Sequence, residues 1–242
     1  MKNNNNLLTK ELNVSYFISF EGGEGTGKST QIKILKERIC KTSNYQCLII
    51  QEPGTTNLGD KLRVLLKKET SPDHSITYLS ELLLFSAARS ELVTKVIKPN
   101  LEKPNLIIIA DRYVDSTTAY QGFGRKLELN QIELINKIAT HMIYPDLTFL
   151  LDSDPEVMFQ RIISKSETNL PSNLNTRMRK DIKGTRKFEE EPIEFHKRVR
   201  TGYLKILKSS SERMVKINAN QDKGIISDLI WQKIRNNIPN LK

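Results

Sequence analysis

The chain has 242 residues, 38% hydrophobic and 27% charged, with a formal net charge of +10. That length suits one domain with a buried core, and no apolar run approaches the ~20 residues of a membrane span. Aromatic residues are only 7% and do not alternate with the basic ones, which argues against a nucleic-acid stacking groove; anionic small ligands and a lysine-rich surface account for the charge.

Met1 to Asn13 (MKNNNNLLTKELN) has no apolar core or small-residue cleavage site of a secretory leader, and is expected to be a polar, disordered tail. Beyond it, short β-rich runs alternate with helical patterns, which predicts an α/β fold: a five-stranded parallel sheet flanked by helices. The predicted strands are 15–20, 46–51, 106–110, 147–151 and 214–217. The predicted helices are 28–41, 58–67, 76–97, 130–141, 156–164, 192–208 and 225–235. No repeat or linker divides the chain, so residues 14–242 are read as one domain. Cys40 and Cys47 lie seven apart without a CxxC or a His pair; buried, reduced thiols are expected, as suits a cytoplasmic protein.

Directly after the first strand, Gly22 to Ser29 reads GGEGTGKS, the phosphate-binding pattern GxxxxGK[ST]. Its glycines let consecutive backbone N–H groups curl around phosphate oxygens. Lys28 can reach the β- and γ-phosphates, and Ser29 can hold Mg²⁺. The helix that starts here points its positive end at the anion. Gly22, Gly23, Glu24, Gly25, Thr26, Gly27, Lys28, Ser29 and Thr30 are therefore the candidate residues for binding ATP or another nucleoside triphosphate.

After the second strand, Glu52-Pro53-Gly54 predicts a tight turn. Arg63, about two helical turns further on, is either a phosphate contact or a plain surface residue. In ITYLSELLLFSAARSELV, Phe85 and Arg89 are four apart and share a helix face. They could stack on a base and bond its edge, although periodicity alone favours a core aromatic. At the end of the third strand, Asp111 and Arg112 exit where open α/β sheets bind ligands. Asp111 suits an Mg²⁺ shell and Arg112 a bidentate phosphate grip; an Asp–Arg ion pair is the structural alternative. Ser116, Thr117, Tyr120 and Gln121 follow, fit either to read a sugar or base edge or to serve as turn and cap residues. Residues 165–187 are polar and then densely basic, six of the eleven from Arg177 to Lys187 being Arg or Lys. They read as a lid that closes on phosphates.

The phosphate loop alone fits GTPases, ATPase-type regulators and nucleotide kinases. No guanine-reading NKxD occurs, since Asn136-Lys137 is followed by Ile138-Ala139, and the DxxG from Asp181 to Gly184 falls inside the basic segment. A DNA-partitioning ATPase would carry a lysine near the loop start, where Glu21 and Gly22 stand. A P-loop ATPase acting as a nucleic-acid-associated or regulatory module is thus the weaker alternative. A kinase uses all the arginines, because a second anionic substrate needs its own clamp.

GGEGTGKST, EPG, FSAAR, DRYVDSTTAYQG, PDLTFLLD and EFHKRVRTGYL, in this order and spacing, resemble the thymidylate kinase family over about Val14 to Ile238. The resemblance implies a P-loop NTPase with a mobile lid, a transferase that phosphorylates dTMP to dTDP with ATP and Mg²⁺ in dTTP biosynthesis. It further implies a homodimer; a cytoplasmic location without nucleic-acid or membrane partners is the expectation from cysteines and composition above. By matched position, Phe85 stacks on thymine and Arg89 bonds its carbonyl edge. Thr117 and Gln121 lie beside the base, Tyr120 near the deoxyribose, and Glu52 joins the substrate site. Arg63 and Arg112 hold the dTMP phosphate, Glu24 approaches the 3′-OH side, and Ser29 and Asp111 serve the metal. Some members place an Arg after the loop's acidic residue; here Gly25 stands there, as in the bacterial subtype whose lid supplies the basic group. Three departures stand out: Gln51 and Thr55 in QEPGTT replace an Arg and a Gly, Arg186-Lys187-Phe188-Glu189 stands for DRFE, and the lid is long. The catalytic set is then Glu24, Lys28, Asp111, Arg112, and Arg186 or Lys187 as the mobile cation.

Overall fold

The computed structural model describes residues 14–67, 76–161, 188, 191–238 and 241. Among them, β1 (Tyr16–Glu21), β2 (Gln46–Gln51), β3 (Leu106–Asp111), β4 (Leu147–Asp152) and β5 (Met214–Asn218) form one parallel sheet in the order β2-β3-β1-β4-β5. β1 is central, with Phe20 opposite Asp111 of β3 and Glu21 opposite Leu150 of β4. The loop leaving β1 therefore emerges between the carboxyl ends of two neighbours, the place where such sheets bind ligands.

Seven helices are labelled here: α1 (Lys28–Thr42), α2 (Asn57–Lys67), α3 (Tyr78–Leu92), α4 (Val114–Thr117), α5 (Leu129–Thr140), α6 (Ile193–Ser209) and α7 (Lys223–Asn237). α3 continues through a π-helical stretch, Val93–Ile97, into Lys98–Leu101, and α4 continues into a π-helical Thr118–Gly124. Residues 155–161 are also helical.

Every residue of Leu106–Ala110 is buried, as an apolar run covered on both faces requires. On one face Ile18, Phe20, Ile109 and Phe149 meet Leu35 and Ile39 of α1 and Ile230 and Trp231 of α7. On the other, Phe17, Ile108 and Ala110 meet Leu92, Val93 and Ile97, while Leu150 meets Ala119, Phe195, Val199 and Tyr203. Each such Ile, Leu or Phe contributes roughly 1.5–3 kcal/mol on burial, which fixes the strand ends that carry the site.

All five predicted strands are present within a residue of their expected bounds. The segment DSTTAYQG proves helical rather than a turn. It lacks apolar periodicity because its polar side chains face inward to the site, and packing of Ala119 and Tyr120 against Phe195, Val199 and Tyr203 of α6 holds it. The cysteine expectation also needs correction. Cys40 is exposed and Cys47 half-buried, both free. The buried stripe of α1 runs through Ile32, Leu35 and Ile39, and one further residue turns Cys40 about 100° out of it. Burial, then the neighbouring Cys40, pushes the Cys47 thiol up to about 12. Among the described residues no helix is long and apolar enough to cross a membrane. The expected tail 1–13 and lid 165–187, with Arg186 and Lys187, lie outside the described residues.

Candidate active site

β1 ends in Glu21, and the glycine-rich loop turns at once. Gly22 has φ 131°, and a Cβ there would sit 2.3 Å from the Leu151 carbonyl oxygen, so only glycine fits. Gly27 (φ 92°) leads into α1, which has neither a side-chain cap nor an acid in its first turn. Its leading N–H groups are left for an anion. Lys28 is buried and donates from Nζ to the carbonyls of Gly22 (3.1 Å) and Gly23 (2.8 Å), while Thr26 Oγ1 donates to Gly23 O at 2.9 Å. Burial, then Arg112, brings the Lys28 ammonium down to about 8, against Asp111, Glu24 and Glu21. Thr30 is exposed on the first turn of α1 and takes no part in the cavity wall.

At the end of β3 the two candidates separate. Ser29 Oγ donates to Asp111 Oδ2 at 2.7 Å. Arg112 adopts a left-handed backbone, φ 73°, which for a non-glycine residue costs about 1–2 kcal/mol and swings its guanidinium over the phosphate loop. It donates to Gly22 O (2.9 Å), Ser116 Oγ (3.2 Å), Tyr203 OH (3.2 Å), Tyr120 OH (3.1 Å) and Glu24 Oε1 (2.8 Å). The charge partner of Arg112 is Glu24, not Asp111. Burial alone would raise the Glu24 pKa, but Arg112 and Lys28 outweigh it and hold the carboxylate below its ordinary value. Tyr120 OH donates to the other Glu24 oxygen.

Glu21 was missed by sequence reasoning. Fully buried, its carboxylate accepts from Tyr113 N (2.7 Å), Ser116 Oγ (2.6 Å) and Tyr203 OH (2.8 Å), and so braces the groups that brace Arg112. Burial, then the nearby Asp115, pushes its pKa up to about 7, against Arg112 and the hydrogen bonds from Ser116 and Tyr113. The available signal was a glutamate closing the apolar run YFISF.

Beside the loop opens a cavity of about 250 Å³. Phe85, half-buried, lines it rather than the core, with its ring 6.0 Å from that of Phe188. Arg89, four residues on, is buried: it donates to Asn136 Oδ1 (2.9 Å), Thr117 Oγ1 (2.8 Å) and Tyr113 O (3.3 Å). Its Nε lies 2.8 Å from Glu52 Oε1. Burial raises the Glu52 pKa, and Arg89 only partly counters it. Arg63 is no plain surface residue: it lines the cavity and donates to Pro53 O at 2.8 Å. Gln121, Thr117 and Tyr120 complete the wall. No cluster of three or more metal-ligating side chains exists among the described residues. One hydroxyl and one carboxylate beside a phosphate cradle suit Mg²⁺, which keeps waters and phosphate oxygens as ligands.

A nucleotide loop and a second, arginine-lined cavity thus share a wall, and a family model described as thymidylate kinase matches residues 20–230. The chain belongs to the thymidylate kinase family. It is 41% identical over 221 residues to the thymidylate kinase of Dehalococcoides mccartyi, across 91% of this chain and 96% of that one. Against the thymidylate kinase of Chlorobaculum parvum it is 42% identical over 202 residues, across 84% and 87%. A crystal structure of thymidylate kinase from Ehrlichia chaffeensis matches with a TM-score of 0.67 at 31% identity, covering 92% of this chain and 99% of that one. As a thymidylate kinase family member the chain is a kinase of P-loop fold, and the regulatory-ATPase alternative is not favoured. Its departure at Thr55 has a local cause. The residue sits at φ 67°, where glycine is favoured, and its Oγ1 accepts from Gln51 N (2.8 Å) and donates to Gln51 O (3.2 Å), fastening the turn.

Proposed function

We propose that the chain transfers the γ-phosphoryl of ATP to dTMP, giving dTDP, with Mg²⁺ beside Ser29 and Asp111. The observation that carries this reading is the Arg112–Glu24 bridge, which ties the ATP loop to the acceptor cavity within one hydrogen bond. Mg²⁺, when bound, neutralises charge on the phosphates. Lys28 grips the β- and γ-phosphates of ATP, with the loop amides from Gly22 to Thr30 around them. Arg63 and Arg112 hold the acceptor phosphate, and Arg186 or Lys187 brings a further cation. Phe85 stacks on the base, Arg89 and Gln121 meet its edge beside Thr117 and Glu52, and Tyr120 packs near the deoxyribose. No general base is required, because the attacking phosphate oxygen is already ionised at neutral pH; catalysis is alignment and charge neutralisation.

The enzyme acts as a cytoplasmic homodimer on two mononucleotides, not on nucleic acid. Exposed Val64 and Leu65 of α2, Leu79 and Leu83 of α3, and Leu134 and Ile138 of α5 support pairing with a second copy. An Ile138→Asp protein that sediments like the wild type would speak against pairing through this face. The activity is tested by ADP release with ATP, Mg²⁺ and dTMP, dUMP, dAMP, dGMP or CMP in turn. Preference for dTMP is expected; release that depends on DNA and ignores the monophosphates would overturn the reading.

A further inference from the structure

Behind the cavity wall, Gln121 is fastened by Glu81, a group with no place in the phosphoryl-transfer reading above. Gln121 Nε2 donates to Glu81 Oε1 at 3.0 Å. Glu81, fully buried on the first turn of α3, is itself gripped by Arg125, from Nε to Oε1 at 3.1 Å and from a terminal nitrogen to Oε2 at 3.2 Å. Arg125 in turn bonds Glu191 and lies over the rings of Tyr78, Phe195 and Phe188 at 4.6, 4.7 and 5.5 Å. The guanidinium thus holds both Glu81 oxygens in one position as hydrogen-bond acceptors.

That constraint fixes which end of the Gln121 carboxamide faces which way. Turning the amide over would set its carbonyl oxygen against the Glu81 oxygen, two acceptors at hydrogen-bond distance inside a low-dielectric wall. The amide nitrogen must therefore point to Glu81. The carbonyl Oε1 makes no hydrogen bond with any described residue, and the side chain lines the cavity. The cavity is offered an acceptor at this point and a donor at Arg89.

We infer that Glu81 is a specificity-determining positioning residue: by orienting the Gln121 carboxamide it presents an acceptor that admits a pyrimidine with N3–H, thymine or uracil, and rejects cytosine. The inference rests on the dTMP reading above. Thymine donates from N3, whereas cytosine offers a lone pair there, so the fixed carbonyl meets a matched donor in one and an acceptor in the other. A site built around a particular hydrogen bond rejects the base that cannot make it more strongly than size alone would.

The test compares kcat/KM for dTMP and dCMP in the wild type, Glu81→Gln and Glu81→Asp. A glutamine at 81 can donate or accept, and so leaves Gln121 free to turn over. Glu81→Gln should raise the dCMP to dTMP ratio by about tenfold or more, through KM for dTMP more than through kcat. Glu81→Asp keeps an acceptor-only group and should keep the wild-type ratio even if it loses stability. The ratio does not depend on the folded fraction. If Glu81→Gln folds too poorly to assay, the double variant Glu81→Gln with Arg125→Gln, which leaves no unpaired cation at 125, provides the same ratio. An unchanged ratio in the glutamine variants, or an equal change in Glu81→Asp, would overturn the role of Glu81 while dTMP turnover by the wild type stands. A wild type that ignores dTMP would instead overturn the underlying reading, and this inference with it.

Discussion

Glu24 and Arg112, 88 residues apart in sequence, meet at 2.8 Å across the gap between the phosphate loop and the end of β3. The contact depends on the left-handed backbone of Arg112, which aims the guanidinium at the loop instead of at its neighbour Asp111. One cation therefore faces the donor loop and the acceptor cavity together.

Removing that cation should hurt the acceptor more than the donor. Arg112→Ala is expected to lower kcat/KM for dTMP by about 100-fold, or ~2.7 kcal/mol, with a smaller change in KM for ATP. Steady-state kinetics with each substrate varied in turn decides it; equal losses for both would mean that Arg112 only supports the loop.

Phe85 lines the cavity instead of the core. Phe85→Ala should weaken dTMP binding by about 1–3 kcal/mol, the usual worth of a base stacked on an aromatic ring, and leave ATP binding nearly intact. Calorimetric titration of each nucleotide separates the two, and a parallel loss of both would point to a folding defect.

Glu21 gives stability a pH dependence whose sign can be worked out. Its folded pKa, about 7, lies above the ordinary 4.5, so the folded state binds the proton more tightly than the unfolded chain. Its contribution is fully present below about 4.5 and is lost as pH rises through about 7. Relative to Glu21→Gln, the wild type should lose up to about 3 kcal/mol over that window. Urea melts of both proteins from pH 4.5 to 8 test this; parallel stability curves would contradict it.

Arg186 and Lys187 directly precede Phe188 in sequence, and the Phe188 ring lies 6.0 Å from Phe85 and 5.7 Å from Tyr120 at the cavity. Arg186→Ala and Lys187→Ala, made separately, should lower kcat by about tenfold in at least one case, worth ~1.4 kcal/mol. Near-wild-type turnover in both would remove the catalytic cation from this segment. Lys187 holds the position of the family's arginine, while Arg186, shifted by one place, forms the better planar clamp, so the two variants decide between them.

The sheet was legible because its strands are apolar runs: Leu106–Ala110 could be little else. The phosphate loop was legible because backbone conformation demands glycine at Gly22 and Gly27. Arg63, Phe85 and Asp111 could be named, but not assigned between roles, since spacing places a side chain on a face without saying what faces it. Glu21, Glu81, Asn136 and Arg125 escaped notice for a related reason. They are buried polar groups whose partners are 18 to 182 positions away, and only the folded chain brings those partners together. Cys40 erred in the opposite direction, because a neighbouring apolar residue does not share its side of the helix.

The central claim is that the phosphoryl group passes from ATP to dTMP, and following the group itself tests it most directly. With γ-³²P-ATP, Mg²⁺ and dTMP, the label should appear in dTDP at the rate at which ADP forms. Label released as inorganic phosphate, with dTMP unchanged, would show an ATPase and contradict the assignment.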